Sequence, residues 1–187
     1  MTGWTEHTRE CLNDTLLFII KLLNENKVDN WFISYGTLLG IVRDNQCIDG
    51  DDDVDIVIDK KNYEIVNKIL QGHNIKIEDA TAITAFYPEG ICLLDTKEIL
   101  KTKPCEKYCS IDFYMSNLDD NGNFHDTWEN VIWSNCYNNK NELIEYAFRG
   151  EKLYLPNNYE TKLSNRYGED WRIPLNKKFS LPRKLKI

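Results

Sequence analysis

Asp51-Asp52-Asp53-Val54-Asp55-Ile56-Val57-Ile58 is the stretch on which the fold turns. Val54, Ile56 and Ile58 alternate with Asp53, Asp55 and Val57, which predicts a strand with one apolar face. Asp53 and Asp55 are two apart, so an extended backbone sends both carboxylates to the same side. Asp49, Asp51 and Asp52 crowd the approach. A solvated acidic turn is the plain alternative, but Asp55 stands inside the apolar alternation rather than in a polar loop. Like charges this close repel, and a bound cation relieves the repulsion. A hard divalent ion with oxygen ligands, Mg²⁺ or Mn²⁺, fits such a set when phosphates share the coordination. The spacing and the missing twelfth-position Glu exclude a calcium loop. Asp53 and Asp55 are therefore the expected metal pair, with Asp51 as a further ligand candidate and Asp52 as an exposed spacer.

Upstream lies Tyr35-Gly36-Thr37-Leu38-Leu39-Gly40. Trp31–Tyr35 reads as a short strand, and Thr37 as the cap of a brief helix reaching Arg43. Glycine at such a junction permits close backbone approach, and the N–H groups of a helix start can hold phosphate oxygens. Neither GxxxxGK[ST] nor GxGxxG is present. Downstream, Asp112 sits between Ile111 and Phe113 in a predicted strand over 108–115. A carboxylate inside an apolar strand is uncommon unless paired or metal-bound. Should that strand lie beside Asp53 and Asp55, three carboxylates converge.

The remaining pattern alternates helices and strands. Leu12, Leu16, Ile19 and Leu23 predict a first helix. Asn62–Leu70 predicts another, 75–95 holds two or three strands, and Asp119–Asn123 is a tight turn. Val131–Trp133 is a short apolar run. Glu142–Arg149 reads as a helix stopped by Gly150, and a last helix after Pro156 stops at Gly168. The fold class is α+β, and 187 residues suit one domain over 1–187.

A net charge of −7 argues against a nucleic-acid partner, which needs a positive stripe. The longest apolar run, Leu16–Ile20, is far short of the roughly 20 residues of a membrane span. With no basic-then-apolar leader, the expectation is a cytoplasmic protein without a stable membrane span. The six cysteines read as reduced. Cys105 and Cys109 form a conceivable zinc half-site whose other half the sequence does not reveal.

Taken together, Gly36-Thr37-Leu38-Leu39-Gly40, Arg43, Asp51-Asp52-Asp53-Val54-Asp55, Ile111-Asp112-Phe113, Leu155-Pro156, Tyr167-Gly168-Glu169-Asp170-Trp171 and Pro174 resemble the LicD family of phosphotransferases, which includes the fukutin-like proteins. The resemblance spans about residues 31–174 in dispersed motifs. It implies a nucleotidyltransferase-like (polymerase-β-like) mixed sheet flanked by helices. By that resemblance Gly36 and Thr37 grip phosphate, while Asp53, Asp55 and Asp112 hold the metal and carry the catalysis. The donor implied is a CDP-activated alcohol such as CDP-choline, and the acceptor a glycan or small hydroxylated molecule. Asp112 binds metal, or takes the acceptor's proton, or both. Arg43 is a candidate phosphate clamp, set against a salt bridge to Asp51 or Asp53. Arg166 and Arg172 flank the late motif and are candidates to reach the donor. Trp171 either stacks on a base or choline or packs against Tyr167.

One departure stands out. The family usually carries Ile-Pro-Trp before the aspartates, and here Ile48-Asp49-Gly50 puts a flexible turn in its place. Two other readings share the residues: a nucleotidyltransferase acting on a small acceptor, and a metal- or nucleotide-binding module without turnover.

Overall fold

The computed structural model describes residues 7–77, 84–87, 90–93 and 98–174. The first helix, α1 (Arg9–Glu25), starts at Thr8, whose hydroxyl accepts from the Cys11 N–H, and buries Leu12, Leu16, Ile19 and Leu23. Next come β1 (Trp31–Ile33), α2 (Tyr35–Asp44) and β2 (Asp53–Asp59). A 3₁₀ turn at Lys60–Asn62 leads into α3 (Tyr63–Gly72). Then follow β3 (Thr84–Tyr87), β4 (Gly90–Leu93), β5 (Ile99–Lys101), β6 (Ser110–Leu118), β7 (Phe124–Asp126) and β8 (Val131–Trp133). The described part closes with β9 (Ile144–Phe148), β10 (Glu151–Leu155) and α4 (Tyr159–Tyr167).

The central sheet runs β1-β2-β6-β7-β8, with β5 also paired to β6. It is mixed: β2 and β6 are parallel, and the other pairs are antiparallel. The parallel register sets Asp53 opposite Ser110 and Asp55 opposite Asp112. The strand of Asp112 thus neighbours that of the Asp53–Asp55 pair. Helix α1 packs against β2 and β10, and α2 against β2 and α4. Phe32, Phe113 and Phe124 are fully buried in the core between them.

Several expectations change. Strand β2 is buried along nearly its whole length, on both faces, because it is central and covered by helices. The strand begun at Trp31 ends at Ile33, and Tyr35 already belongs to α2. Ser34 takes the N-cap position, while Thr37 sits inside the first turn. The segment 142–149 is not a helix. Its Ile144, Tyr146 and Phe148 alternate inward on β9, and β10 folds back with Leu155 opposite Ile144. Arg149 and Gly150 make the two-residue turn with φ of 50° and 87°, the left-handed pair that a tight hairpin requires.

Other elements stand as read. The turn after β6 is held by Asp119 Oδ1, which accepts from the N–H groups of Asn121 and Asn123. Helix α4 stops at Gly168, φ 93°. Ile83 and the basic tail after Pro174 lie outside the described residues. No helix among the described residues is long and apolar enough to cross a membrane.

Candidate active site

The Asp55 carboxylate is held at both of its oxygens. Its Oδ2 accepts from the Gly36 N–H at 3.2 Å and its Oδ1 from the Tyr114 hydroxyl at 3.2 Å. Its own N–H donates to Thr37 Oγ1 at 2.9 Å, and its carbonyl accepts from the Ser34 N–H at 3.1 Å. The strand–helix junction Ser34–Thr37 therefore clasps the second residue of the Asp-x-Asp pair from both backbone and side chain. Gly36 and Thr37, the expected phosphate grip, are engaged by Asp55 in this structure. Their placement needs a tight junction: Tyr35 takes a φ of 45°, an unfavourable region for a bulky residue, and its hydroxyl is anchored on Asp126 Oδ2 at 2.7 Å.

Around Asp55 the acidic groups gather. One carboxylate oxygen from each of Asp51, Asp52 and Asp53 lies within 4.8 Å of the others. This trio, rather than Asp53, Asp55 and Asp112, is the tight carboxylate group among the described residues. Asp52 is thus a half-buried member of the cluster and not an exposed spacer, and its N–H donates to Asp51 Oδ1 at 3.3 Å. Gly36 has a close reason to lack a side chain: a methyl group there would collide with Asp51 Oδ2.

The charge is uncomfortable without a cation. Burial, then the charges of Asp112, Asp52 and Asp51, push the Asp53 carboxyl up to about 8. Burial and the charges of Asp53 and Asp112 drive Asp55 well above the usual carboxylate range. Asp112 is treated differently. It is buried, and the Lys101 ammonium from the end of β5 forms an ion pair with its Oδ2. The register explains the contact, since Lys101 lies directly opposite Asp112. Lys101, Tyr114 and Asp126 have no signal in the sequence. They become part of the site only through strand pairing and ring packing.

The arginines separate. Arg43 pairs neither with Asp51 nor with Asp53. Its Nε and Nη2 hold Asp44 Oδ2 at 2.9 and 2.7 Å, because the neighbouring carboxylate is in reach along α2. The Arg166 guanidinium lies 4.2 Å from the centre of the Tyr35 ring, with Glu129 at 3.9 Å. Arg172 stacks on Trp171 at 4.1 Å and pairs with Glu160. Trp171 is packed, only 3% exposed.

A cavity of about 300 Å³ is lined by Ile48 and Asp49, just ahead of the acidic cluster in the chain, and among others by Arg9, Leu39, Arg43, Tyr167, Asp170 and Trp171. Burial raises the Tyr167 hydroxyl well above its usual range, the Arg166 guanidinium opposes this, and the charges of Asp55 and Asp51 add to the rise. The Arg9 Nε and Trp171 Nε1 donors are buried without a partner. The cavity wall is mostly apolar, with the charged residues Arg9, Arg43, Asp49 and Asp170 on its lining, a form suited to a small ligand.

The sequence model of the LicD/FKTN/FKRP nucleotidyltransferase domain matches residues 29–158. A crystal structure of the lincosamide antibiotic adenylyltransferase LnuA bound to lincomycin superposes with a TM-score of 0.52 at 19% identity, covering 81% of each chain. The solution structure of the antibiotic-resistance factor ANT(2'')-Ia gives a TM-score of 0.48 at 9% identity, over 80% of this chain and 66% of that one. No curated protein matches. The LnuA likeness shows a shared nucleotidyltransferase fold, and the sequence match runs from just ahead of β1 to the cap of α4. The chain belongs to the LicD/FKTN/FKRP nucleotidyltransferase-domain family.

Proposed function

We propose that this protein transfers a phospho-alcohol group, phosphocholine or a close analogue, from a CDP-activated donor to a hydroxyl acceptor. The observation that carries the reading is the pairing of β2 with β6. It sets Asp55 opposite Asp112 and places both beside the Asp51–Asp53 carboxylates, at the start of α2. Family membership supplies the donor class. The reaction is placed in the cytoplasm.

Residues of this chain fit a divalent ion such as Mg²⁺ or Mn²⁺. Buried carboxylates that resist ionisation next to one another, with a lysine already compensating the third, form an oxygen-rich set short of positive charge. Asp51, Asp53 and Asp55 would hold the ion, with Asp112 joining when Lys101 releases it. When bound, such an ion neutralises the charge on the donor's phosphates and polarises the phosphorus under attack.

The protein's own groups do the positioning. Gly36, Thr37 and Tyr114 fix Asp55, so that the site is set before a ligand arrives. Asp112, buried opposite Asp55, accepts the proton of the attacking hydroxyl once Lys101 has released it. Lys101, freed from Asp112, balances the charge of the departing CMP. The neighbouring cavity, lined by Leu39, Ile48, Tyr167 and Trp171 with Asp49 and Asp170, takes the donor's alcohol group.

Incubation with CDP-choline or with CTP, plus Mg²⁺ and a panel of sugar and polyol acceptors, tests this. Phosphocholine on the acceptor with release of CMP is the expected product by mass. Release of pyrophosphate from CTP with a nucleotidylated acceptor would replace the proposal by nucleotidyl transfer. Binding of Mg²⁺ and nucleotide with no product from either would leave a binding module.

A further inference from the structure

Cys109 was a half-site in search of its other half, and Cys105 does not provide it. Cys105 is exposed, whereas Cys109 is buried against α1. There its Sγ lies 2.6 Å from Cys11 Sγ. The third neighbour is His7. One ligand atom from each of His7, Cys11 and Cys109 falls within 4.8 Å of the other two.

We propose that His7, Cys11 and Cys109 form a zinc site, separate from the carboxylate centre, that fastens the segment before α1 to the start of β6. The two sulfurs lie side by side, close enough for one ion to take both as ligands. A zinc ion sits about 2.3 Å from each thiolate and spreads the sulfurs around it. His7 makes the choice between zinc and a disulfide. Its Nε2 is buried without a hydrogen-bond partner. A bond between the sulfurs would leave that nitrogen as it is, whereas a metal takes it as a ligand. Two thiolates and an imidazole select zinc over the magnesium expected of the carboxylates. Water completes the fourth position.

The surroundings are organised around these ligands. The Thr15 hydroxyl accepts from the Cys109 N–H at 2.9 Å and donates to the Cys11 carbonyl at 2.8 Å, which holds both cysteine backbones to one group. The His7 N–H donates to the Asp51 carbonyl at 3.0 Å, and its carbonyl accepts from the Gly50 N–H at 3.0 Å. The Arg9 N–H donates to Asp49 Oδ1 at 3.0 Å. Cys109 stands three residues before Asp112. A zinc ion here ties the loop carrying Asp51 to the strand carrying Asp112, across the end of α1. It acts by positioning, not by contact with substrate.

The test uses the full chain, loaded with Zn²⁺ and dialysed, with metal content measured by mass spectrometry. About one zinc per chain is expected for the wild type, for Cys105→Ser and for Asp53→Ala. His7→Ala is expected to bind at least about tenfold more weakly, and Cys11→Ser to retain none. Co²⁺ in place of Zn²⁺ should give a thiolate charge-transfer band that disappears in Cys11→Ser. His7 lies at the edge of the fold, so its variant reports even if the cysteine variants fail to fold. Failure of the wild type to retain zinc overturns the proposal. So does zinc that is lost in Asp53→Ala but kept in Cys11→Ser, which would put the ion in the carboxylate centre. A chain two mass units light that regains its thiols with a reductant would replace the zinc by a Cys11–Cys109 disulfide.

Discussion

Lys101 and Asp112 face each other across the β5–β6 pair, and the ammonium of one rests on the carboxylate of the other. The pair neutralises one of the site's carboxylates in the absence of metal. Removing the lysine leaves a buried charge uncompensated. Lys101→Met is expected to lower stability by about 2 kcal/mol without metal, a figure kept small because the lysine is partly exposed. Added Mg²⁺ should close most of that gap. Urea unfolding with and without Mg²⁺ measures it, and an equal loss in both conditions would show that the pair is merely structural.

Asp53 and Asp55 separate activity from stability. Asp55 is buried and Asp53 half-buried, and the fold disfavours the ionisation of each. Asp53→Ala and Asp55→Ala are each expected to cut Mg²⁺-dependent transfer by roughly 10³-fold, equivalent to a few kcal/mol of lost charge stabilisation. Asp53→Asn should at the same time raise the melting temperature of the metal-free protein at neutral pH. Full activity in Asp55→Ala would end the metal reading.

The pH dependence follows from the direction of the Asp53 shift. Its carboxyl ionises near 4 when unfolded and at about 8 in the fold. Below the lower value it is protonated in both states. Between the two values the unfolded chain loses a proton that the folded chain keeps, so metal-free stability falls as pH rises. Mg²⁺ binds the ionised form. The rise in melting temperature caused by Mg²⁺ is therefore expected to be small at pH 5 and to grow towards pH 8. Thermal scans across that range, at constant Mg²⁺, check the sign, and a shift independent of pH would contradict it.

Gly36 offers a steric test of the same site. A methyl group at this position meets Asp51 Oδ2, while the helix around it accepts alanine readily. Gly36→Ala is expected to keep the fold and weaken Mg²⁺ binding by about tenfold, a cost near 1.4 kcal/mol. Isothermal titration against Mg²⁺ reads this directly. Gly40→Ala is the contrasting case, since its methyl would strike the backbone of Gln46 and Ile48. It should lower the melting temperature.

Much of this site was readable before any coordinates, and the reason is geometric. Alternation in Asp53–Ile58 and the setting of Asp112 both follow from the two-residue repeat of a strand, which a linear sequence displays. Partners supplied by register do not show in this way. Lys101 reaches Asp112, and Tyr114 reaches Asp55, only because particular strands align. Cys11 and Cys109 are 98 residues apart and meet through the packing of α1 on the sheet. The 142–149 segment reads as a helix because Gly150 looks like its stop. The alternation of Ile144, Tyr146 and Phe148 with a left-handed Arg149-Gly150 pair was the stronger signal.

The abrupt passage from β1 into α2 has a consequence for the lengths this chain can tolerate. Ile33 is paired with Ile56, Ser34 is extended, Tyr35 turns left-handed, and Thr37 already holds Asp55. One residue inserted between Ile33 and Thr37 would rotate the threonine by about 100° around the helix, away from the strand. One inserted in β2 would send its aspartates to the opposite face. The interval from Ile33 to Thr37 is therefore a fixed ruler, which related chains are expected to keep.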